Sequence, residues 1–489
     1  MAPGEFLDVH LFPAGGLCLA FVPATDGLFL VDEAGWDALT LARRGMGPAE
    51  LRRLVADAHG REAAERCLAE LEAVRSAAAH DPFPAAGTRD DGDALPADAW
   101  LPSSPDAPRL KALCLNVSHD CDLACRYCFA GRGSFGGRRS LMTAEVGRAA
   151  VDFLLAHAGD VPVCEIDFFG GEPLLNLEVV REVVDYARRR GKEQGKAFGF
   201  TLTTNAFTLG PDEAAYLDET MDNVVLSLDG RPRVHDRMRP APGGRPTHAR
   251  VLENVKRFVA GRGDRDYWVR GTFTAHNLDF SADVAYLAGE GFRNISLEPA
   301  VGGAGVAAAD GWRLTAEHVD EVRAEYFRLA DLLFDLEERG RRVVFFHFIT
   351  EADEGPCYAK RVRGCGAGRE YMAVTPDGDL YPCHQFAGAA EYRAGSVFEG
   401  LSGGHGPAGR VARLWLGAKP SCRSCWARYR CSGGCHANGL AATGSLTDPD
   451  PLGCAFMKAR LEAALYLEAR RTLAGMAPAA AGPWSPSAA

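Results

Sequence analysis

The sequence lacks the apolar run of ~20 residues that a membrane span requires. Its first residues, MAPGEFLDVH, also lack the basic-then-apolar layout of a secretory signal peptide. Basic residues are in deficit, with 54 Lys and Arg against 65 Asp and Glu, so the net charge is -11. A general basic face for neutralising phosphates is therefore missing. These absences argue against membrane and nucleic-acid partners and predict a cytoplasmic protein.

Cysteine, by contrast, is abundant, with 15 residues in a chain of 489. Because the cytoplasm keeps thiols reduced, this number favours metal binding or catalysis over disulfides. A hydrophobic content of 47% is sufficient for packed cores, and the length predicts about three domains.

The densest cysteine group lies in the run CLNVSHDCDLACRYCFA, where Cys121, Cys125 and Cys128 are spaced C-x3-C-x2-C and Tyr127 stands beside the last. Three thiolates on one short loop can hold three irons of a cubane cluster and leave the fourth iron open. A structural zinc site is instead closed by four ligands, and a ferredoxin cluster takes four cysteines. An open iron can bind a substrate or cofactor, so the triplet indicates catalysis. Taken alone, it could also be a zinc knuckle or a chance spacing.

From about residue 110 onward, strand-like apolar runs alternate with helical patterns six times. The runs are LKALCLNV, EIDFFGG, FGFTLTTNA, NVVLSLDG, YWVRGTFT and NISLEPAV. Such alternation predicts an α/β fold with a parallel sheet, either a partial barrel or a doubly wound sheet. In both, the active site lies at the carboxyl ends of the strands. The cysteine loop follows the first strand, and Gly170, Gly171, Glu172 and Pro173 follow the second.

The two ends of the chain differ in composition from this central region. Short alternating strands followed by helical patterns predict a small, winged-helix-like α+β domain at the N-terminus. A stretch rich in Pro, Asp, Ala and Ser predicts a linker, and the Ala- and Pro-rich end predicts a disordered tail. The predicted divisions are the N-terminal domain 1–80, the linker 81–108, the barrel 109–345, a cysteine-rich domain 346–467 and the tail 468–489.

The cysteine-rich domain carries eight further cysteines in regular spacings. One pair has the form C-x12-G-x4-C, and four others follow C-x2-C-x5-C-x3-C. Eight thiolates suffice for two four-ligand clusters, although C-x2-C pairs suit tetrahedral zinc equally well. The eight are Cys357, Cys365, Cys383, Cys422, Cys425, Cys431, Cys435 and Cys454.

The triplet, the Gly-Gly-Glu-Pro element and this array together resemble the radical S-adenosylmethionine (SAM) enzymes that carry a SPASM extension. The resemblance implies a partial (β/α)6 radical SAM barrel, a C-terminal SPASM domain, SAM as cofactor and three 4Fe-4S clusters. The triplet would hold the cluster whose open iron binds SAM. The first auxiliary cluster would use Cys365, Cys383 and Cys435, with Cys357 deciding whether it is closed. The second would use Cys422, Cys425, Cys431 and Cys454.

The same resemblance implies a set of SAM contacts at the strand ends. Glycines permit close backbone approach, and an acidic side chain can accept from the SAM ammonium group. Turn formation is the alternative role for Asn205 and Asp229, and a core position or an ion pair is the alternative for Ser227 and Arg270. Cys114 and Cys164 are interpreted as buried small hydrophobes. The implied contacts are Tyr127, Gly170, Gly171, Glu172, Pro173, Asn205, Ser227, Asp229 and Arg270.

The cysteine loops between about residues 110 and 460 are also similar to those of the maturases of Six-Cysteine-in-Forty-Five peptides and of the quinohemoprotein amine dehydrogenase maturation enzyme. This similarity implies hydrogen abstraction by a 5'-deoxyadenosyl radical and thioether crosslinks, cysteine sulfur to carbon, in a ribosomally made peptide or small protein subunit. Two other outcomes remain open among enzymes: carbon-carbon crosslinks, and oxidation of a sulfatase Cys or Ser to formylglycine. A metal-cluster electron-transfer or scaffold protein is the non-enzymatic alternative.

The implied partners are a peptide or small-protein substrate and a reductant such as flavodoxin or ferredoxin. The leader segment of the substrate would add a strand to the sheet edge of the N-terminal domain. A structural cap on the barrel is the alternative role of that domain.

Overall fold

The computed structural model describes residues 8–78, 108–301, 311–349, 358–403 and 406–476. Nearly all of the predicted linker therefore lies outside the described residues. The predicted ligand Cys357 and the end of the predicted tail lie outside them as well.

The N-terminal region forms an antiparallel sheet followed by helices, as its sequence pattern predicts. The sheet has the order β1-β2-β3. The first helix begins where the Asp32 side chain accepts from the Gly35 N–H at 2.7 Å, which is the usual role of Asp at a helix start. The winged-helix assignment itself stays a prediction. The elements are β1 (His10–Ala14), β2 (Leu17–Val22), β3 (Gly27–Leu30), α1 (Glu33–Arg43), α2 (Pro48–His59) and α3 (Arg61–Ala78).

The central region is a parallel sheet whose strands are added in chain order. Its order is β10-β9-β8-β7-β6-β5-β4, and every neighbouring pair is parallel. A doubly wound sheet reverses direction at a switch point, so this order favours the partial barrel. The strands are β4 (Ala112–Ser118), β5 (Val163–Gly170), β6 (Ala197–Thr204), β7 (Asn223–Ser227), β8 (Tyr267–Phe273), β9 (Asn294–Pro299) and β10 (Val344–Phe345).

Helices connect successive strands and cover the outside of this sheet. On β5, Cys164, Ile166 and Phe168 are fully buried in the main core, so the alternating Asp167 and Phe169 face the barrel interior. Cys114 is buried as well. The helices are α4 (Ala144–His157), α5 (Leu177–Glu193), α6 (Pro211–Thr220), α7 (Pro232–Met238), α8 (His248–Arg262), α9 (Phe280–Gly289) and α10 (Val319–Glu338), with short 3-10 turns at Pro173–Asn176, Ala316–His318 and Phe346–Phe348.

The cysteine-rich region continues the barrel sheet. Strand β11 pairs in parallel with β4, Ala373 opposite Cys114, and three short antiparallel strands follow, so one sheet of 11 strands runs through the described residues. Its elements are α11 (Tyr358–Arg363), β11 (Tyr371–Val374), β12 (Asp379–Tyr381), β13 (Gly395–Ser396), β14 (Gly400–Leu401), α12 (Pro407–Ala412), α13 (Pro420–Arg423), α14 (Arg428–Cys431), α15 (His436–Thr443) and α16 (Pro451–Leu473), with 3-10 turns at His384–Phe386, Ala390–Tyr392 and Leu416–Ala418.

The last helix, α16, extends six residues into the segment that composition assigns to the tail. It packs along α10, and the packing continues past Leu467 because Arg471 pairs with Glu337 at 2.7 Å. None of the helices in the described stretches is long and apolar enough to cross a bilayer.

The N-terminal sheet docks on the cysteine-rich region through buried charges. Asp26, in the turn between β2 and β3, accepts from Arg430 at 2.8 Å and from Arg361 at 3.0 Å. All three side chains are largely buried. Nearby, the His10 ring stacks on Trp426 with centroids 3.8 Å apart. The sheet is therefore attached to the segment that carries the later cysteines.

We expect Asp26→Asn to loosen this docking, because it leaves two buried guanidinium groups without a carboxylate. Breaking a buried pair in this way costs about 3–5 kcal/mol, while Asn tolerates the positive φ of 58° at this position. Hydrogen exchange of residues 10–30 measures the effect. The matched control is Asp37→Asn, which removes an exposed pair with His59 worth at most about 1 kcal/mol. Equal exchange rates in both variants would contradict the prediction.

Candidate active site

The cysteine triplet lies on the loop that follows β4, at the carboxyl end of the parallel sheet. Cys125 is close enough to both Cys121 and Cys128 for their charges to interact. Burial raises the pKa of the Cys125 thiol to about 11, although the Arg239 charge opposes the shift. Burial and the nearby Glu172 raise the pKa of Cys121 as well. Metal binding would be needed to deprotonate these thiols near neutral pH.

Within the described part of the chain, no three His, Cys, Asp or Glu side chains converge as a ready site for a single metal ion. An iron-sulfur cubane is wider than one ion, so its thiolates stand farther apart. The fit of a cluster is therefore judged from the donor set and from the polar groups around it.

Glycines allow the triplet loop to pack directly against the loop after β5. A Cβ on Gly170 would lie 2.3 Å from the Ser118 carbonyl oxygen, and one on Gly171 would lie 2.1 Å from that of Asp120. From the other side, a Cβ on Gly133 would lie 2.7 Å from the Cα of Gly171. Only glycine fits at these three positions. Sequence reasoning missed Gly133, although the run GRGSFGG carries the signal.

Glu172 fastens the second loop to the end of β6. Its carboxylate accepts from the Leu174 N–H at 3.0 Å, the Thr204 hydroxyl at 2.8 Å and the Asn205 N–H at 2.7 Å. Burial, together with the nearby Asp122, raises the pKa of Glu172 to about 7. Three of roughly four acceptor positions of the carboxylate are used internally. A contact with an ammonium group remains a prediction, and the observed role of Glu172 is to order the strand ends. Pro173 is buried at the start of the following turn.

Asn205 makes both a turn contact and a contact with the triplet loop. Its side-chain oxygen accepts from the Phe207 N–H at 2.8 Å. Its amide nitrogen donates to Asp122 at 2.7 Å and lies 3.7 Å from the Cys121 sulfur. The side chain therefore helps to fix the position of one candidate iron ligand.

A buried network lies behind the loop. The Tyr127 hydroxyl donates to Asp229 at 2.6 Å, and Arg239 donates to the Tyr127 oxygen at 2.9 Å. Asp229 also accepts from the Thr272 N–H at 3.1 Å, and burial raises its pKa to about 6. Tyr127 and Asp229 thus contact each other, and both are fixed by neighbouring groups. Sequence reasoning missed Arg239, which stands in RPRVHDRMRP after the fourth strand.

The remaining predicted contacts face the barrel interior. Ser227 and Arg270 are neighbours across β7 and β8. Arg270 forms a salt bridge with Glu298 yet keeps 46% of its side chain exposed. Although desolvation raises the pKa of the Glu298 carboxyl, the Arg270 charge outweighs it and lowers that pKa to about 2. Arg270 therefore forms an ion pair, which is the predicted alternative to a SAM contact. Its exposed guanidinium can still contact an anionic ligand.

The C-terminal cysteines fall into two sets. Within each set the thiols are close enough for their charges to interact. Burial raises the pKa of the Cys383 thiol to about 12. Ligand roles for all of them stay a prediction, and Cys357 lies outside the described residues. The first set is Cys365, Cys383 and Cys435; the second is Cys422, Cys425, Cys431 and Cys454.

A buried lysine ammonium group lies beside these two cysteine sets. Its surroundings indicate whether the sets fit a negatively charged metal-thiolate group. The Lys419 side chain is 1% exposed, and its Nζ donates to the Gly433 carbonyl at 2.7 Å. Among the residues described, this is the acceptor found for its three N–H donors. A buried cation needs an anionic partner. Metal-bound thiolates on both sides would supply that negative charge, so the residues present fit such groups.

This chain is similar in sequence to a known protein family and to a known peptide maturase. The model of the radical SAM superfamily matches residues 115–269. Mycofactocin maturase MftC of Mycobacterium ulcerans (strain Agy99) is 30% identical over 363 residues, which cover 71% of this chain and 88% of that protein.

Two solved structures share the fold. The anSMEcpe enzyme with bound AdoMet has a TM-score of 0.62 at 20% identity and covers 75% of this chain and 96% of its own. Streptococcus suis SuiB bound to the precursor peptide SuiA has a TM-score of 0.51 at 16% identity, covering 91% and 98%.

We expect Gly133→Ala to lower the iron content of the protein, because a methyl group would press on Gly171 and on the Cβ of Cys121, a predicted iron ligand, 3.1 Å away. Iron content after anaerobic reconstitution measures this. Gly136→Ala is the matched control: its φ of 76° is also positive, but nothing lies within 4 Å of an added Cβ. Equal iron content in the two variants would show that the close packing of the loops is not required.

Proposed function

Because this chain belongs to the radical SAM superfamily and is a peptide maturase within it, we propose that it installs intrapeptide thioether crosslinks in a ribosomally made peptide or small protein subunit. The observation that carries this proposal is the continuous sheet that joins the triplet loop to the C-terminal cysteines. Strand β4 leads into the triplet loop, while β11 pairs with β4 and with β12, and β12 leads into Cys383. The barrel interior can therefore serve both SAM cleavage at the triplet loop and carbon-sulfur bond formation near the C-terminal cysteines.

The family implies SAM and a 4Fe-4S cluster. When bound, a cluster with one open iron supplies the electron that cleaves SAM to a 5'-deoxyadenosyl radical able to remove hydrogen from an unactivated carbon. Cys121, Cys125 and Cys128 would hold this cluster. Arg270 and Ser227, at the interior surface, would meet the carboxylate and ribose of SAM, while the network around Tyr127 would keep the loop in place.

Formation of the thioether removes two hydrogens from the peptide. One leaves the carbon as a hydrogen atom, the cysteine thiol loses a proton, and one electron must be accepted. We propose that a cluster held by the first auxiliary set, with Cys383 at the barrel side, would bind the thiolate of the substrate cysteine and accept the electron. In this proposal, Cys357 decides whether the cluster of the first set is closed or keeps an open position.

Aromatic side chains separate the triplet loop from Cys383. The His384 ring lies 5.7 Å from the Phe129 ring and 5.1 Å from the Phe169 ring, and Tyr371 donates to or accepts from His384 at 3.1 Å. These aromatic side chains would exclude water from the region between the triplet loop and Cys383. Exclusion of water protects a carbon radical from side reactions until the sulfur reaches it.

The N-terminal sheet offers an edge for a leader peptide. Phe29 and Leu30 on the edge strand β3 are 47% and 53% exposed. The Val31 N–H donates to Cys18 at 2.9 Å, so the antiparallel alternation leaves the N–H groups of Leu28 and Leu30 pointing out of the sheet. An extended leader could pair with them. Binding of a precursor peptide by SuiB supports this proposal.

The proposal also includes a reductant such as flavodoxin or ferredoxin to supply electrons to the triplet cluster. It places the reaction in the cytoplasm, where thiols are kept reduced.

Leu30→Pro tests the leader-binding edge. It removes one outward N–H donor, and an edge strand tolerates proline, so we expect at least a tenfold loss of leader affinity, about 1.4 kcal/mol. Fluorescence anisotropy of a labelled leader peptide gives the affinity. Leu30→Ala, which keeps the donor, controls for the side chain. Unchanged affinity in Leu30→Pro would reject β3 as the docking edge.

The product decides the reaction type. We expect anaerobic co-production with the short cysteine-containing peptide encoded beside the gene to remove two hydrogens per event together with one alkylatable thiol. Intact and fragment mass spectrometry after thiol alkylation measures both. Cys125→Ala should give unmodified peptide, while Cys18→Ala, outside every proposed ligand set, should give full product.

The same mass loss with every thiol still alkylatable would indicate carbon-carbon crosslinking instead. Conversion of a cysteine or serine to formylglycine would indicate sulfatase-type oxidation. Absence of SAM cleavage under a strong reductant would indicate a non-enzymatic electron-transfer or scaffold protein.

A further inference from the structure

We propose that Lys419 sets the reduction potentials of both auxiliary cysteine sets by holding one positive charge between them. This inference rests on the proposed function to the extent that both sets bind iron-sulfur clusters. It adds a residue to which neither the cysteine spacings nor the family resemblance assigns a role.

The position of Lys419 is fixed by the link between the two sets. Its Nζ donates to the carbonyl oxygen of Gly433 at 2.7 Å. Gly433 stands in the short segment that joins Cys431 of the second set to Cys435 of the first. The stem of the lysine packs on the same residue, since a Cβ on Gly433 would lie 3.4 Å from the lysine Cδ. The ammonium is therefore anchored at the junction of the sets.

The charges around Lys419 come from cysteines of both sets. Cys422 and Cys431 of the second set and Cys435 and Cys365 of the first all act on it. Burial lowers the pKa of Lys419, and negative charge on these four sulfurs acts in the opposite sense. Bound clusters, whose sulfurs are thiolates, would therefore keep the lysine charged.

A fixed positive charge beside an iron-sulfur cluster favours its reduced form, which carries one more negative charge. Net charge and hydrogen bonding near the sulfurs are established determinants of cluster potential. In a buried site the effect is screened less than at the surface. With Lys419 in place, both sets become better acceptors for the electron released when the carbon-sulfur bond forms.

A purely structural role is the competing explanation, because Lys419 also anchors the turn at Gly433. Lys419→Gln separates the two roles: the amide can still donate to the Gly433 carbonyl, but the charge is lost. Lys419→Arg keeps the charge. Lys458→Gln is the matched control, since Lys458 acts electrostatically on Cys454 but is exposed to solvent.

The test is a potentiometric titration of the reconstituted full-length protein, without peptide, followed by electron paramagnetic resonance. We expect Lys419→Gln to bind as much iron as the wild type. It should lower both auxiliary potentials by at least a tenfold change in the reduction equilibrium, about 59 mV for one electron. The triplet cluster should keep its potential, and Lys419→Arg and Lys458→Gln should match the wild type.

Unchanged auxiliary potentials in Lys419→Gln at full iron content would overturn the inference. If Lys419→Gln binds less iron, Lys419→Arg decides: retained iron and potentials support a requirement for charge, and loss of iron there too reduces Lys419 to an anchor. Because no peptide is present, this result is independent of the product. Shifted potentials with no thioether formed would refute the proposed reaction alone, whereas normal thioether yield with unshifted potentials would refute this inference alone.

Discussion

The parallel pairing of β4 with β11 is the constraint on which the rest of the structure depends. Tyr371 stands opposite Ala112 and Val374 opposite Leu115, and the Lys111 N–H reaches the Glu370 carbonyl at 2.8 Å. Through this pairing the first barrel strand and the cysteine-rich region share one sheet. The N-terminal sheet is joined to the same region by Asp26. The cysteine sets therefore keep a defined position relative to the barrel interior.

Around the triplet loop, several buried charged groups hold neighbouring backbone and side chains in place. Glu172 ties the second loop to β6, and Asp229 orients Tyr127, which also receives the Arg239 guanidinium. Such buried polar groups are stable only when their partners are complete. Two cations beside the candidate sites are open to a further partner: Arg270 keeps 46% of its side chain exposed, and one carbonyl acceptor is found for Lys419 among the described residues. These are the positions where anionic groups would complete the structure.

Much of the architecture could be predicted from local patterns. Alternating apolar runs indicated the barrel strands, whereas the division of the later cysteines into two sets came from the family resemblance. Within each set the thiols lie close enough for their charges to interact, and their ligand roles stay a prediction. Non-local features could not be predicted in this way. The pairing of β4 with β11 joins segments more than 250 residues apart, and the roles of Arg239, Gly133 and Lys419 depend on contacts between distant loops. Composition assigned residues 468–489 to a disordered tail, whereas α16 extends to Leu473 and Arg471 in its last turn pairs with Glu337 of α10.

The proposed reaction requires one open iron at the triplet loop, and the most direct measurement is the electron paramagnetic resonance spectrum of the reduced protein with and without SAM. We expect about twelve irons per chain, in three clusters of four. Addition of SAM should alter the signal of one cluster and leave the other two unchanged. A spectrum that SAM does not alter, in protein with full iron content, would contradict the assignment of the triplet as the SAM-binding site.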